Sequence, residues 1–271
     1  MRWRVSAPPR RWSLIMFVLL SLSVSTLGCS RSKPGSSGGS STSEVTVAAA
    51  SDLRPAFEAL AAEFQRETET RVTLTFGSSG QLREQILNGA PFDLFASANV
   101  EYVDDVVDAG IGLADTRADY ALGRIVLLSS DEALLPGSIE DLASHRFERI
   151  AIANPRHAPY GLAAEQALQS AGIADEVADR LVLGENVSDT FQICESGNAD
   201  VCIVALSLAV ADGTPYTVIA DSLHRPLRQA LVVTTNGDQP DAATAFATLV
   251  NSPAGRAVMN RYGFTLPGES P

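Results

Sequence analysis

The chain has 271 residues, of which 45% are hydrophobic and 19% are charged; this composition excludes disordered and fibrous proteins and supports one large domain or two modest ones. Its net charge of −12 argues against nucleic acids and anionic membrane surfaces as partners, because both are bound through basic patches. Three cysteines make neither a disulfide framework nor a four-ligand zinc site, and three scattered histidines argue against a metalloenzyme.

The N-terminal region has the pattern of an export signal rather than a membrane span. Four arginines precede an apolar run over residues 14–27, and no acidic residue occurs before Glu44. Cys29 follows this run after a glycine, a pattern that resembles the lipobox of lipoproteins, although Leu27 stands one position closer to the cysteine than is usual. We therefore predict a lipoprotein signal peptide over residues 1–28 and lipid attachment to Cys29. An ordinary secretory signal with an incidental cysteine is the alternative.

Residues 29–43 are predicted to form a flexible tether, because they are rich in glycine and serine and contain no large hydrophobic side chain. A coil of this length spans roughly 20 Å, enough to hold a globular body just off a bilayer. Cleavage of the signal removes four arginines and no acidic residue, which lowers the net charge from −12 to −16. We expect the protein to work outside the cytoplasm, anchored to the membrane by lipid.

From Glu44 onward, short apolar runs alternate with amphipathic stretches, which is typical of α/β units with mainly parallel strands. The predicted strands cover residues 45–50, 72–76, 92–97, 124–129, 150–153, 181–183, 201–205, 216–219 and 231–234. The predicted helices cover residues 52–68, 81–88, 101–109, 161–170, 188–196, 241–250 and 255–262. So many elements suit two α/β lobes better than one sheet.

At four places a strand ends, small or hydroxyl residues follow, and a helix begins. These turns lie at residues 50–52, 77–80, 159–161 and 186–188. The carboxyl ends of parallel strands are where open α/β sheets bind ligands, and the unpaired N–H groups of helix starts favour anions. Helix capping explains any one such turn equally well, so the spacing alone indicates only an anion binder.

Cys194 and Cys202 flank a short segment at a helix end, a turn and a strand start. In an oxidising compartment they form either a disulfide or two buried thiols, because geometry decides between these states.

Four segments together resemble the periplasmic molybdate-binding proteins of ABC-type uptake systems. They are VTVAAASDLRPAF at 45–57, FGSSGQLREQILNGAPFDLFAS at 76–97, IANPRHAPYGLAAEQA at 152–167 and RYGFTL at 261–266. The resemblance implies a type II periplasmic binding protein, whose two lobes are joined by two crossover strands and close around an oxyanion. It places lobe I at residues 44–123, lobe II at 124–224, and the return crossover with the C-terminal helices of lobe I at 225–271. It further implies a monomeric binding protein, not an enzyme, with no cofactor and with an ABC-type permease of the inner membrane as its partner.

The resemblance also assigns oxyanion-binding residues. Ser51 and Ser79 match family serines that donate from their hydroxyls, and Val187 matches a main-chain N–H donor at a helix start. Ala205 stands where many members have a tyrosine, and we expect the Tyr160 hydroxyl to replace it from the opposite wall. Molybdenum would thus be held as molybdate by these residues and not as a free metal ion.

Asp52 belongs to the same predicted site but is unusual beside an anion. We expect its carboxylate to point away and cap its helix, while its N–H faces the ligand. No lysine or arginine falls inside the four turns, so the donors are neutral. A pocket without acceptors favours molybdate and tungstate, which are fully deprotonated at neutral pH, over phosphate, and rejects the smaller sulfate by size.

Two other classes stay open. A binding protein for sulfate, phosphate or ferric iron is the first, although iron capture needs clustered tyrosines and the five tyrosines here are dispersed. A lipid-anchored serine hydrolase is the second. Its weakness is that residues 77–80 do not match the G-x-S-x-G turn of such enzymes, and that His157 is the only histidine near a site turn.

Overall fold

The computed structural model describes residues 43–266, so the predicted signal peptide, Cys29 and nearly all of the tether lie outside the described residues. Among the helices of residues 43–266, none is long and apolar enough to cross a membrane. The strands are β1 Glu44–Ala50, β2 Arg71–Gly77, β3 Leu94–Ser97, β4 Ala118–Gly123, β5 Ile125–Leu128, β6 Ile150–Ala153, β7 Leu181–Gly184, β8 Val201–Ala205, β9 Tyr216–Val218 and β10 Leu227–Val233. The helices are α1 Arg54–Thr68, α2 Ser79–Leu87, α3 Val100–Asp108, α4 Pro159–Ser170, α5 Ala174–Val177, α6 Val187–Glu195, α7 Leu206–Asp212, α8 Pro240–Asn251 and α9 Pro253–Arg261.

The strands form two five-stranded sheets, in the orders β2-β1-β3-β10-β4 and β7-β6-β8-β5-β9. In the first sheet β1 runs parallel to β2 and β3, whereas β10 runs antiparallel to β3 and β4. The second sheet repeats this arrangement, with β6 parallel to β7 and β8 and with β5 antiparallel to β8 and β9. Each sheet is therefore mixed, because β10 in the first sheet and β5 in the second run against the other four strands.

The chain passes from the first sheet to the second between Gly123 and Ile125, and it returns between Val218 and Leu227. These two crossovers join two α/β lobes, as expected. We refer to the lobe of the first sheet as lobe I and to that of the second sheet as lobe II.

Helix α1 shows how the sequence builds the core of lobe I. Pro55 occupies its first turn, and Glu69, in the left-handed conformation at φ 59°, ends it. Its apolar stripe is buried, and Phe57 and Phe64 pack edge-on against Phe246 of α8 with ring centroids 5.8 and 5.4 Å apart. The helix predicted from the apolar spacing is confirmed.

Three elements were not expected, namely β4, the short helix α5 and α7. Strand β4 shows no regular alternation of buried and exposed positions, so the sequence lacks the period-2 pattern that predicts a half-buried strand. Helix α7 continues directly from β8 in one apolar run, and its first residue follows Ala205, which has no capping side chain. Without a polar break, the end of a buried strand and the start of a buried helix look alike in sequence.

Cys194 and Cys202 form a disulfide with their Cα atoms 6.0 Å apart. The bond joins the last turn of α6 to β8 within lobe II, and both side chains are buried. The sequence left a disulfide and two buried thiols as alternatives, and the structure has the disulfide.

Candidate ligand-binding site

The four strand-to-helix turns meet around one small cavity between the lobes. Its lining residues are Ala50, Ser51, Asp52, Gly77, Ser78, Ser79, Ala98, Ala158, Pro159, Tyr160, Asn186 and Val187. All five residues predicted to bind an oxyanion are among them. The cavity is small, so the two lobes are closed around a space suited to a small ligand.

Two buried serines of lobe I line the cavity with hydroxyl protons that are free to be donated. The Oγ of Ser51 accepts a hydrogen bond from the N–H of Ser188 at 3.3 Å, and the Oγ of Ser79 accepts from the N–H of Ala98 at 3.0 Å. Both side chains are buried. Among the hydrogen bonds of residues 43–266, neither hydroxyl donates one. Each serine is therefore held by a main-chain donor and keeps its own proton for a ligand.

Main-chain N–H groups supply further donors, because the first turn of a helix leaves its N–H groups without partners inside the helix. The side chain of Asn186 accepts from the N–H groups of Ser188 and Asp189, at 3.0 Å each. The N–H of Val187 donates to no side chain among the described residues. In α4 the first residue is Pro159, which has no N–H, so Tyr160 provides the first main-chain donor of that helix.

Asp52 carries the one carboxyl in this lining, which includes no arginine or lysine among the described residues. Its Oδ2 accepts hydrogen bonds from the Tyr160 hydroxyl at 2.9 Å and from Gln229 Nε2 at 2.8 Å. Burial raises the pKa of the Asp52 carboxyl from 3.8 to about 6, and the hydrogen bonds from Gln229 and Tyr160 act in the opposite direction. This carboxylate was expected to point away from the ligand and to cap its helix; its side-chain hydrogen bonds join it to a buried network with Tyr160 and Gln229.

The Tyr160 hydroxyl belongs to the same network, which differs from its predicted role. It donates its proton to Asp52 and accepts from Gln229 Nε2 at 3.1 Å, and Gln229 Oε1 in turn accepts from the Tyr120 hydroxyl at 2.9 Å. One hydroxyl has one proton, so this geometry leaves the main-chain N–H, rather than the side chain, as the donor of Tyr160 toward the cavity. A Cβ at Gly123 would lie 2.2 Å from the Tyr160 hydroxyl oxygen, so the network requires glycine at the crossover.

Replacing Tyr160 with phenylalanine is expected to lower the free energy of unfolding by about 1.5–3 kcal/mol at pH 8, because a hydrogen bond to a buried carboxylate is lost. The loss should be smaller at pH 5, since Asp52, with a pKa of about 6, is then mostly protonated. Urea unfolding at both pH values measures this difference. Tyr216→Phe, at an exposed position of lobe II, is the control. An equal loss at the two pH values would show that the hydroxyl does not serve an ionised Asp52.

Further hydrogen bonds hold the lobes together around the cavity. From lobe I, the N–H of Gly80 donates to the main-chain oxygen of His157 at 3.0 Å, and Ser78 contacts the same oxygen and the His157 ring. From lobe II, the hydroxyls of Ser188 and Ser207 donate to the main-chain oxygens of Ser51 and Asp52, at 2.9 and 2.7 Å.

These contacts were only partly indicated by the sequence. Ser78 and Gly80 lie inside one predicted turn, and His157 lies beside another. Gln229 and Ser207 lie in runs without a turn signal, so nothing near them in sequence pointed to the site. Ala205 is buried at the end of β8 opposite Ile125 and does not line the cavity.

Two lobes that close over a small cavity lined by hydroxyl and main-chain donors define a solute-binding protein. The model of the family described as bacterial extracellular solute-binding protein matches residues 45–265, and the chain belongs to this family. It is 34% identical over 232 residues to the molybdate-binding protein ModA of Azotobacter vinelandii, covering 82% of this chain and 90% of that protein. It is 31% identical over 225 residues to the molybdate-binding protein ModA of Rhodobacter capsulatus, covering 82% and 88%.

The solved structure of the Azotobacter vinelandii periplasmic molybdate-binding protein matches with a TM-score of 0.79 at 30% sequence identity. The match covers 82% of this chain and 99% of that chain. It confirms the two-lobe fold of type II periplasmic binding proteins and the family resemblance of the four segments.

Proposed function

We propose that this protein captures molybdate, and the chemically similar tungstate, outside the cytoplasm and delivers it to the permease of an ABC-type importer. The observation that supports this most strongly is the convergence of four helix starts, with the free hydroxyl donors of Ser51 and Ser79, on one small cavity. The similarity to molybdate-binding proteins over most of the chain supports the choice of ligand.

The donor set suits an oxyanion that carries no proton. Hydroxyl and N–H groups donate and need an acceptor, and each hydrogen bond to a charged group contributes about 1.5–3 kcal/mol. Several such bonds at helix starts hold a dianion without a lysine or arginine. Molybdate and tungstate offer four acceptor oxygens, whereas phosphate at neutral pH usually keeps a proton that would need an acceptor of its own.

The hydrolase alternative finds no support in the Ser78 and His157 pair. The ring Nδ1 of His157 lies 2.9 Å from the Ser78 Oγ, but that hydroxyl donates to the His157 main-chain oxygen. The ring nitrogen is then the donor, which is the reverse of what a general base needs. We therefore propose a binding protein that performs no catalysis and acts as a monomer.

Calorimetry tests this function. We expect the purified protein to bind one molybdate or tungstate per chain tightly and saturably, and to bind sulfate and phosphate at least about a hundredfold more weakly, a difference of roughly 3 kcal/mol. Equal affinity for sulfate would favour a general tetrahedral oxyanion receptor. Absence of molybdate and tungstate binding would refute the proposal.

We further propose that the protein is a membrane-anchored lipoprotein of the periplasm, with lipid on Cys29 and residues 29–43 as its tether. Cys29→Ala is expected to move the protein into the soluble fraction or to stall cleavage of the signal, because no thiol remains for the lipid. Fractionation and detergent partitioning measure this, with Ser30→Ala as the neighbouring control. Unchanged membrane association of Cys29→Ala would exclude the anchor.

A further inference from the structure

Asp52 lines the cavity that is proposed to hold a dianion, and its carboxyl is buried. Asp52 is fully buried, and its Oδ2 takes the hydrogen bonds of Tyr160 and Gln229. Its Oδ1 is also buried and, among the described residues, accepts no hydrogen bond of ordinary geometry, although the main-chain N–H groups of Asp52 and Leu53 act on the carboxyl and lower its pKa. This is unusual, because a buried carboxylate oxygen ordinarily accepts at least one hydrogen bond.

The groups that contact the Asp52 carboxyl do not neutralise it. Tyr160 of α4 is hydrogen bonded to it, and Tyr120 of β4 reaches it through Gln229 of β10. Burial raises the pKa of both tyrosine hydroxyls well above the usual value, with the nearby Asp52 charge acting in the same direction, so both stay neutral. Ser207 of α7 is likewise neutral and bonds only to the Asp52 main-chain oxygen.

Three charged side chains on the helices that pack against Asp52 have other partners. Arg54 of α1 pairs with Glu58 at 3.4 Å and lies over the Phe76 ring. Asp189 of α6 accepts from the N–H of Glu185 at 2.8 Å, and Asp212 of α7 contacts the Thr214 hydroxyl. Within residues 43–266 no arginine, lysine or histidine is hydrogen bonded to the Asp52 carboxyl.

We propose that Asp52 takes up one proton from solvent when the oxyanion binds, so that capture of the dianion is coupled to neutralisation of this carboxyl. The physical reason is that an ionised carboxylate and a dianion held close together in a dry site disfavour each other. The proton adds to the carboxylate, with Oδ1 as the oxygen that accepts no hydrogen bond of ordinary geometry, and no bond of the oxyanion changes. This inference rests on the proposed function and adds a determinant of affinity to it.

The direction in which oxyanion affinity changes with pH follows from the Asp52 pKa in the protein without ligand. Because burial raises the Asp52 pKa to about 6, the carboxyl is mostly ionised at pH 8 and half protonated near pH 6. A bound dianion raises this pKa further, so binding favours the protonated form. Affinity is therefore highest below pH 6 and falls by up to about tenfold per pH unit above it, until the pKa of the liganded protein is passed. Molybdate stays a dianion over this range, so the ligand does not cause the change.

Calorimetry in two buffers of different ionisation enthalpy counts the protons. At pH 7.5 we expect wild-type protein to take up roughly 0.5–1 proton per molybdate and to lose at least about tenfold in affinity between pH 6 and pH 8. Asp52→Asn is expected to take up none and to bind with an affinity that does not change between these pH values. Ser207→Ala is the matched control, because it removes a hydrogen bond to the Asp52 main chain but leaves the carboxyl, so it should keep the wild-type proton count.

Each outcome supports or overturns proton uptake by Asp52. Wild-type binding without proton uptake overturns the inference and leaves the proposed function intact, as does an Asp52→Asn variant that keeps the wild-type pH dependence. If Asp52→Asn does not fold, the wild-type proton count decides alone. Absence of molybdate binding at every pH refutes the proposed function, and the inference falls with it.

Discussion

Gly80→Ala is expected to weaken molybdate binding by about a hundredfold or more. It should also lower the free energy of unfolding, because the hydrogen bonds between the lobes are lost with the closed arrangement. A Cβ at Gly80 would lie 2.7 Å from the main-chain oxygen of His157 and 3.1 Å from its Cα, and both atoms belong to the opposite lobe. The closed arrangement then cannot form, although each lobe still folds. Within α2, alanine is a better helix former than glycine, so lobe I should be no less stable.

Titration of Gly80→Ala with molybdate and its unfolding in urea measure these two effects. Gly137→Ala is the control, because Gly137 is exposed and a Cβ there would meet only Asp141 Oδ2, at an ordinary 3.4 Å. That variant should bind like wild type. Wild-type affinity in Gly80→Ala would show that ligand capture does not need the closed arrangement of the lobes.

The combined replacement of Ser51 and Ser79 by alanine is expected to have the largest effect on affinity. Each substitution removes one charge-assisted hydrogen bond, which corresponds to about 1.5–3 kcal/mol or roughly ten- to hundredfold. The two serines lie on different turns and hold separate main-chain partners, Ser188 and Ala98. If the two losses add, the double variant should bind roughly a hundred- to ten-thousandfold more weakly.

A matched control separates lost ligand contacts from lost stability. Ser129 is also buried, donates to the main-chain oxygen of Asp200 at 2.7 Å and accepts from the N–H of Asp131, but it does not line the cavity. Ser129→Ala should lower stability and leave molybdate affinity unchanged. A loss of less than about twofold in both single serine variants of the cavity would place the ligand elsewhere.

The part of the site that the sequence predicted is the part made by local chemistry. Ser51, Ser79 and Val187 each follow a strand and open a helix, and the carboxyl ends of the strands in each sheet bring such turns together. The apolar runs likewise gave the two α/β lobes. These features depend on neighbours within a few residues, which is why a single sequence contains them.

What the sequence could not provide is the set of contacts between distant segments. Asp52, Tyr160 and Gln229 meet from positions more than sixty residues apart, and each has an ordinary local explanation: a helix cap, a rim aromatic or a polar strand residue. For this reason the contacts of the Asp52 carboxylate and the Tyr160 hydroxyl differ from those expected. Only the folded chain shows that the two side chains bind each other.

The most direct test of the proposed site is a crystal structure of the protein with molybdate, in which anomalous scattering locates the molybdenum. We expect one molybdenum atom in the cavity between the lobes, with its oxygens within hydrogen-bond distance of the Ser51 and Ser79 hydroxyls and the Val187 N–H. Molybdenum bound outside this cavity, or inside it without contact to either serine, would contradict the site described here.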